Sequence, residues 1–431
     1  MGTSPSTKET TLHHFRDPLA ARLAADAGID FPGVVIQATS DDYLHKRFVS
    51  KRTAALVAGQ RPDGALVCID AWGNAHIDFA SVIEFLGEQG IPVVGLSFVG
   101  IQAAFVVTNP YMDSIVDLNK SLSGVEEGVL GDNTAVPLDA EKAVAILLNK
   151  IRKKNAATGR ALPDSALPER MLHSLQQRIF RVSELAAAGV TSMQPGLLQL
   201  NLEGMRQSAM DEARARHGQF AQLGGCIENI TLKILRPGED SVFVNSILDV
   251  WPIAVKVEGA IGDGVTNLVE GARVLLTASD TEGFQPINGG AASGLLRDVM
   301  RFGRPGTPAP DDFILHVDVT LKKGEAVTRD GIMAAHLACD AVLRDARACL
   351  AGMNRYQATE RRRLVDMARP GKPRIALVKM TSGVSAMGDT SMFPEHPGGF
   401  EGSRSVMDYT HNLPVFVSPT EYMDGIVHSL S

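Results

Sequence analysis

The sequence LGGCIENITLKIL, residues 223–235, separates two differently patterned halves of the chain. A Gly-Gly pair stands directly before Cys226, and a run that ends in β-type residues follows it. Glycine tolerates backbone conformations closed to other residues, so Gly224 and Gly225 are expected to form a tight turn that can hold the next peptide bond in a strained geometry. The stretch therefore predicts a cysteine at the start of a strand that opens the second half of the chain.

Upstream of this turn, β-type and helical segments alternate between residues 31 and 154. Asp139 is the expected N-cap of the last helix. Strands that alternate with helices form a parallel sheet covered on both faces, so residues 1–155 are predicted to be an N-terminal α/β domain with a doubly wound, mostly parallel sheet. The segments are apolar runs at 33–38 and 65–69, and helical patterns at 42–56, 79–86, 111–118 and 140–151.

Residues 156–225 are predicted to be a linker and helical connector, and residues 226–431 a C-terminal catalytic domain of mixed α/β structure. Basic residues and prolines indicate a linker over residues 152–168. Short strands with long Gly- and Pro-rich connections favour a domain with several binding loops. The segments predicted in these regions are helices at 169–188, 211–222 and 331–350, and strands at 273–277, 313–320 and 374–379.

The composition excludes several classes of function. The chain has 431 residues with a formal net charge of −7, so it lacks the basic surplus that binds nucleic acid. The uncharged run 91–112 has membrane length, but prolines and glycines divide it, so buried strands are predicted and no membrane partner. The polar residues 1–20 do not indicate secretion, and four cysteines without a CxxC spacing fit a reducing cytoplasm.

No metal or nucleotide cofactor is predicted from the remaining motifs. His336, Cys339 and Asp340 share one face of a predicted helix, but a packed face explains that spacing without a metal. The Gly-rich segments 259–264 and 289–294 match neither a phosphate loop nor a dinucleotide fingerprint. These segments are predicted to be turns that let the backbone approach a ligand or a partner.

The residues around Cys226 permit a specific chemistry. The thiol of Cys226 can attack the carbonyl of Gly225 to form a thioester, and elimination followed by hydrolysis leaves a chain that begins with a pyruvoyl group. Glu228 is a candidate for the proton transfer and Asn229 for polarising the Gly225 carbonyl. The alternatives are a buried cysteine and two ordinary strand residues. Three arginines in Gly- and Pro-rich phrases are candidates for binding a substrate carboxylate, or else for surface salt bridges: Arg236, Arg304 and Arg404.

An ordered set of phrases resembles the pyruvoyl-generating proproteins of the glycine, sarcosine, betaine and D-proline reductase family. The phrases are residues 224–250, 260–264, 304–308, 398–405 and 419–425, with shorter ones at 76–79, 90–95, 111–113 and 130–134. The resemblance implies cleavage between Gly225 and Cys226, and a pyruvoyl group that binds the amine of a small amino-acid substrate. It also implies reduction of D-proline to 5-aminovalerate by a separate subunit that carries selenocysteine or cysteine, in a hetero-oligomer.

The residue before Cys226 and the choice of substrate leave alternatives open. In the glycine-type relatives the cleaved bond follows asparagine, whereas Gly225 stands there in this chain. Glycine offers no side-chain amide at the cleaved bond, so either the surrounding fold compensates or processing is slow or absent. The substrate is D-proline, or else glycine, betaine or another cyclic amine. The alternative function is that of an unprocessed homologue that binds an amino acid or scaffolds a complex. The phrases around Gly262, Arg304 and Gly399 predict loops that converge on Cys226.

Overall fold

The computed structural model describes residues 9–40, 43–70, 73–102, 104–105, 107–125, 128–159, 167–215, 223–283, 293–381, 399–401 and 414–429. Within these ranges the chain forms two large sheets with helices packed against them. The predicted α/β fold is confirmed. None of the helices in these ranges combines the length and the apolar character needed to span a membrane.

The first part of the chain alternates strands and helices. Its elements are α1 (Thr11–Phe15), α2 (Pro18–Ala25), β1 (Val34–Ala38), α3 (Tyr43–Gly59), β2 (Gly64–Ile69), α4 (His76–Glu88), β3 (Val93–Ser97), β4 (Ile115–Asp117) and α5 (Pro137–Thr158). β1, β2 and β3 are buried along their whole length, as expected for parallel strands with helices on both faces.

The middle of the chain is dominated by long strands. Its elements are β5 (Arg170–Ala187), β6 (Ser192–Gln194), β7 (Gly196–Leu200), α6 (Leu202–Ala213), β8 (Ile227–Leu235), β9 (Phe243–Val244), β10 (Ser246–Glu258), β11 (Gly264–Asp280), β12 (Gly294–Leu295), α7 (Leu296–Val299) and β13 (Phe313–Leu321). The last part contains α8 (Arg329–Val342), α9 (Arg344–Ala351), β14 (Glu360–Ala368), β15 (Ile375–Thr381), β16 (Gly399–Glu401), β17 (Val415–Val417), α10 (Pro419–Tyr422) and β18 (Val427–Ser429).

The first sheet has the strand order β17-β1-β15-β2-β3-β4, and each neighbouring pair is parallel except β17 with β1. Apolar side chains on one face pack against α2 and α5, and those on the other face against α3 and α4. Because both faces are covered by helices, this sheet is doubly wound, as predicted for the N-terminal half.

The second sheet has the order β6-β7-β5-β11-β13-β8, with β10 paired to β11 and β14 to β5. Its core packs against α6, α8 and α9 and contains the fully buried Trp251. β8 runs antiparallel to β13, which brings Ile227 opposite Leu321 and Leu235 opposite Ile314. This register determines what lies at each end of β8.

The two sheets are interleaved along the chain. β15, predicted as a strand of the C-terminal domain, lies between β1 and β2 of the first sheet, and β5 of the second sheet begins well before Cys226. The change of sheet therefore does not coincide with residues 155 and 226. As separately folding units, the segments 1–155, 156–225 and 226–431 stay a prediction.

Several local predictions were wrong. The predicted helix 169–188 is β5, whose buried Leu175, Gln177 and Ile179 alternate with more exposed residues, which is the period of a strand. The predicted helix 111–118 contains β4. The predicted linker 152–168 begins inside α5, which continues to Thr158 and is followed by Gly159, a glycine with φ of +65°.

Three helix predictions need smaller changes. Asp139 is the third residue of α5 and accepts a hydrogen bond from the N–H of Val136, so it supports the helix start without being the N-cap. The predicted helix 331–350 is divided into α8 and α9. Of the predicted helix 211–222, residues 211–213 end α6, and residues 216–222 lie outside the described part of the chain.

Candidate functional site

Cys226 is the last residue of a short 3₁₀ turn, Gly224–Cys226, that leads directly into β8. Its side chain is half-buried and packs at the edge of the second sheet's core. Its carbonyl accepts a hydrogen bond from the N–H of Lys322 at 2.8 Å, and the N–H of Ile227 bonds to the carbonyl of Gly224. The turn is therefore fixed on one side by the first residue of β8 and on the other by the segment that follows β13.

The two glycines before Cys226 have different structural roles. A Cβ at Gly224 would lie 2.0 Å from the carbonyl oxygen of Ala213, so only glycine allows this close approach of two backbone segments. A Cβ at Gly225 would meet nothing within 4 Å. Neither glycine has a positive φ, so the strained turn geometry expected from the sequence is not seen at these positions.

The thiol of Cys226 lies against a carboxylate that the sequence did not indicate. Burial raises the pKa of this thiol to about 11, and a hydrogen bond to Glu325 together with the charges of Glu325 and Asp330 adds to the rise. Glu325 begins a 3₁₀ turn between β13 and α8, and its Oε2 accepts a hydrogen bond from Thr328 Oγ1 at 3.0 Å. At neutral pH the thiol is therefore protonated and lies next to a proton acceptor.

Glu228 and Asn229 do not share the environment of the thiol. Both side chains are exposed on β8, and Cys226 itself lies in the turn, so the alternation of a strand does not relate Glu228 to it. The pairing of Ile227 with Leu321 instead brings the segment after β13, and with it Glu325, next to Cys226. Sequence reasoning missed Glu325 because nothing near it in the chain indicates this pairing.

The candidate arginines lie far from Cys226 or outside the described residues. Arg236 directly follows β8, at the opposite end of this nine-residue strand, which corresponds to roughly 30 Å. Arg304 lies in the loop before β13, also at the Leu235 end of β8, beside a cavity of about 600 Å³ that Arg16 and Arg22 also line. Arg404 falls in residues 402–413, outside the described part of the chain.

The Gly- and Pro-rich loops converge around α1 instead of Cys226, so the expected convergence was wrong. The N–H of Gly262 donates to the carboxylate of Asp424 at 2.6 Å. The carbonyl of Gly306 accepts a hydrogen bond from Thr10 Oγ1 at 2.7 Å. β16, which begins at Gly399, pairs with β18, and β18 contacts α1. A seventeen-residue strand, β11, runs from Gly264 to the end of the sheet where Cys226 lies, which is roughly 50 Å of extended chain.

α1 itself joins the two sheets. The N–H and Oγ1 of Thr11 donate hydrogen bonds to Asp249 on β10 of the second sheet, at 2.8 and 2.7 Å. On the other side, Glu9 and Asp17, which flank α1, pair with Lys379 on β15 of the first sheet. The loops that carry the family resemblance thus surround the junction between the sheets, whereas the phrase with Cys226 lies at a distant edge.

Comparison with known proteins confirms the resemblance. Residues 2–120 match the family of glycine/sarcosine/betaine reductase component B subunits. The D-proline reductase proprotein PrdA of Acetoanaerobium sticklandii is 28% identical over 263 residues, which cover 61% of this chain and 40% of that protein. The chain is therefore related to a reductase proprotein, and the matched stretch spans less than half of the relative's length. No solved structure matches.

Proposed function

We propose that this chain is the pyruvoyl-generating proprotein subunit of a D-proline reductase-like enzyme and that it cleaves itself between Gly225 and Cys226. The observation that carries the proposal is the half-buried thiol of Cys226, which follows Gly225 directly and whose pKa is raised by burial and by the nearby Glu325 carboxylate. No atom lies within 4 Å of the position that a Cβ of Gly225 would take, so the residue before the proposed cleavage is not crowded on that side. The similarity to a D-proline reductase proprotein supports the reaction class.

The proposed cleavage uses groups of this chain and one water-dependent step. Glu325 accepts the thiol proton while Sγ attacks the Gly225 carbonyl carbon; the amide C–N bond then breaks and its nitrogen takes up a proton, which leaves a thioester. Loss of the Cys226 α-proton and cleavage of the Cβ–Sγ bond release Gly225 as a thioacid and leave a dehydroalanine. Its enamine takes up a proton to become an imine, and water hydrolyses the imine to the ketone with release of ammonia.

Glu325 is needed because the resting thiol is a poor nucleophile. With a pKa of about 11, only roughly one thiol in ten thousand is ionised at neutral pH. A base that removes the proton during the attack avoids this small population. In this proposal Glu325 replaces Glu228 as the base. The side chain of Asn229 is exposed, so its proposed role is limited to contacts with the Gly225 carbonyl after the thiol attack.

The pyruvoyl ketone supplies an electrophile for the substrate amine and an electron sink. Cys68 and Cys339 are fully buried and Cys226 is converted into the pyruvoyl group, so among the described cysteines only the half-buried Cys349 is left, which cannot form a dithiol pair alone. We therefore propose that a separate selenocysteine- or cysteine-containing subunit reduces a small amino acid, D-proline in the first instance, in a cytoplasmic hetero-oligomer. Arg404 keeps its proposed role toward the substrate carboxylate, whereas Arg236 and Arg304 are too far from Cys226 for one shared site.

Intact-mass measurement and a denaturing gel test the proposal directly. The wild-type chain should yield two fragments. The C-terminal fragment should carry a ketone at its N-terminus, which hydrazine-type reagents trap. Cys226→Ala should stay whole, Cys226→Ser should cut more slowly because hydroxide is a poorer leaving group than thiolate, and Cys349→Ala, at the other half-buried cysteine, should cut normally. A wild-type chain that stays whole beside its partner subunit would favour the unprocessed binding or scaffold homologue.

A further inference from the structure

A buried ionic cluster lies between α1 and β15, outside the site at Cys226. Glu9, His13 and Asp17 follow one another at intervals of four residues, and each is at most 2% exposed. Lys379 of β15 places its Nζ 2.5 Å from Glu9 Oε1 and 2.8 Å from Asp17 Oδ2. The other oxygen of Asp17 caps α2 by accepting the N–H groups of Leu19 and Ala20. The positions of both carboxylates are therefore well defined.

His13 is the unusual member of this cluster. Its side chain is fully buried, and neither ring nitrogen has a hydrogen-bond partner within the described part of the chain. Nε2 lies 3.6 Å from Glu9 Oε1 and 4.0 Å from Asp17 Oδ2, which is too long for hydrogen bonds. The imidazole thus points at two carboxylates without bonding to either. Because leaving a buried polar group without a partner costs free energy, a group bound between them would stabilise this arrangement.

The gap has the dimensions of a metal-ion site. Donor atoms bound to zinc at about 2.0–2.2 Å in a tetrahedron are separated from one another by roughly 3.4 Å. The ligand atoms of Glu9, His13 and Asp17 all lie within 4.8 Å of one another, and two of the three separations approach that value. We propose that Glu9, His13 and Asp17 bind a single divalent first-row cation, of which zinc is the type that this ligand set suits.

Lys379 lowers the affinity of this site for a cation. Its ammonium occupies the same two carboxylate oxygens and therefore competes electrostatically with a divalent ion. It also offsets part of the negative charge when no ion is bound, since an isolated buried carboxylate is strongly unfavourable. The cluster holds two carboxylates against this one ammonium, with His14 Nε2 3.3 Å from Glu9 Oε2. The metal affinity is therefore lower than the same three ligands would give without Lys379.

The site lies where the proposed ion would join the two sheets. Glu9, His13 and Asp17 flank or form α1, which is hydrogen-bonded to the second sheet through Thr11, and they face Lys379 of the first sheet. The backbone carbonyl of Gly306 contacts Thr10 beside them. An ion bound here would stabilise the junction between the sheets, and this role is independent of cleavage at Cys226.

Titration of the chelator-treated full chain with Zn²⁺ and Co²⁺ tests the proposal. We expect one equivalent to bind, with a rise in the midpoint of thermal unfolding and visible absorption bands of four- or five-coordinate Co²⁺. His13→Ala should weaken binding at least tenfold. His76→Ala removes an equally buried imidazole that is hydrogen-bonded to Ser97 outside the cluster, and it should leave binding unchanged.

Two further variants keep the test decisive if His13→Ala folds poorly. Glu9→Gln is nearly isosteric and should also weaken binding at least tenfold, whereas Lys379→Met should strengthen it and make the variant depend on the ion for folding. Absence of saturable Zn²⁺ and Co²⁺ binding by the wild-type chain would overturn the proposal. So would equal binding by the wild-type chain and Glu9→Gln, because the ion would then lie elsewhere, for example at a half-buried cysteine.

Discussion

The junction at α1 and the turn at Cys226 differ in nearly every physical property. Around α1, Glu9, His13, Asp17 and Lys379 are buried together. Thr11 of α1 is hydrogen-bonded to the second sheet, and Glu9, just before α1, pairs with Lys379 of the first sheet. Around Cys226 the thiol is half-buried, its acidic neighbour Glu325 is half-exposed, and Gly225 has open space beside it. Charge at the junction is therefore paired inside the protein, whereas the groups at the turn remain accessible to water.

This difference predicts that substitutions at the junction change stability, whereas substitutions at the turn change the proposed cleavage. Buried charges are tolerated only with partners, so a change at the junction is expected to act mainly on folding. A processing reaction that needs water and a later partner subunit is better served by an accessible turn at the edge of a sheet. The Gly- and Pro-rich loops that resemble the reductase family surround the junction, so they do not form one site with Cys226. The following predictions test this separation.

The largest effect is expected at another buried ion pair, which joins α3 and α4 on one face of the first sheet. Lys46 Nζ lies 2.6 Å from Asp78 Oδ2, and both side chains are at most 1% exposed. Lys46→Met leaves the buried Asp78 carboxylate without its partner and should lower the free energy of unfolding at neutral pH by about 3–5 kcal/mol, measured by urea denaturation. Glu203→Gln removes the exposed pair with Arg206 and should cost less than about 0.5 kcal/mol. Equal losses in the two variants would contradict the distinction.

The same aspartate should give a pH signature. Burial raises the pKa of Asp78 to about 6, although the Lys46 ammonium opposes the rise. The folded state therefore binds this proton more strongly than the unfolded state, and the contribution of Asp78 to stability falls as the pH rises from about 4 to about 6. Urea denaturation across this range should show the fall in the wild-type protein and a smaller one in Asp78→Asn.

The next effect concerns the rate of cleavage. Glu325→Gln removes a negative charge and a carboxylate acceptor, so the pKa of the Cys226 thiol should fall below about 11. If Glu325 is the base, cleavage should nevertheless slow roughly 100-fold. The half-life of the uncut chain, followed on gels at several pH values, measures this effect, with the exposed Glu228→Gln as control. Faster cleavage by Glu325→Gln would show that the carboxylate acts only through its charge.

The two glycines before Cys226 offer a matched pair of substitutions. Gly224→Ala places a Cβ 2.0 Å from the Ala213 carbonyl oxygen, so the backbone must shift, and unfolding should become easier by about 1–3 kcal/mol. Gly225→Ala meets no atom within 4 Å and should change stability by less than about 1 kcal/mol. Thermal and urea unfolding of both variants measure the difference. A larger loss in Gly225→Ala would mean that the turn has a different conformation.

The smallest effect is expected from two of the arginines. Arg236→Ala and Arg304→Ala should leave the rate of cleavage within about twofold of the wild-type rate, because both residues lie at the opposite end of β8 and β13 from Cys226. Gel assays of purified variants are sufficient. A strong loss of cleavage in either variant, with unfolding unchanged, would require the two regions to be coupled through the second sheet.

Some of this structure was predictable because its signals are local. β2 is an apolar run and β1 is apolar except for Gln37, which is the pattern of parallel strands buried on both faces, and the buried residues of α3 and α4 recur with helical periodicity. The position of Cys226 directly after two glycines and before β8 was likewise apparent from neighbouring residues. The role of Cys226 stays a proposal.

Local patterns of residues were sufficient to predict the class of fold, the alternation of elements in the first half and the turn before Cys226. The structure was needed to show that β15 enters the first sheet between β1 and β2, that Glu325 lies near the thiol, and that Glu9 and Asp17 meet Lys379. Each of these contacts joins residues far apart in the chain. Their formation depends on strand pairing and on the burial of whole faces, and no short stretch of sequence carries that information.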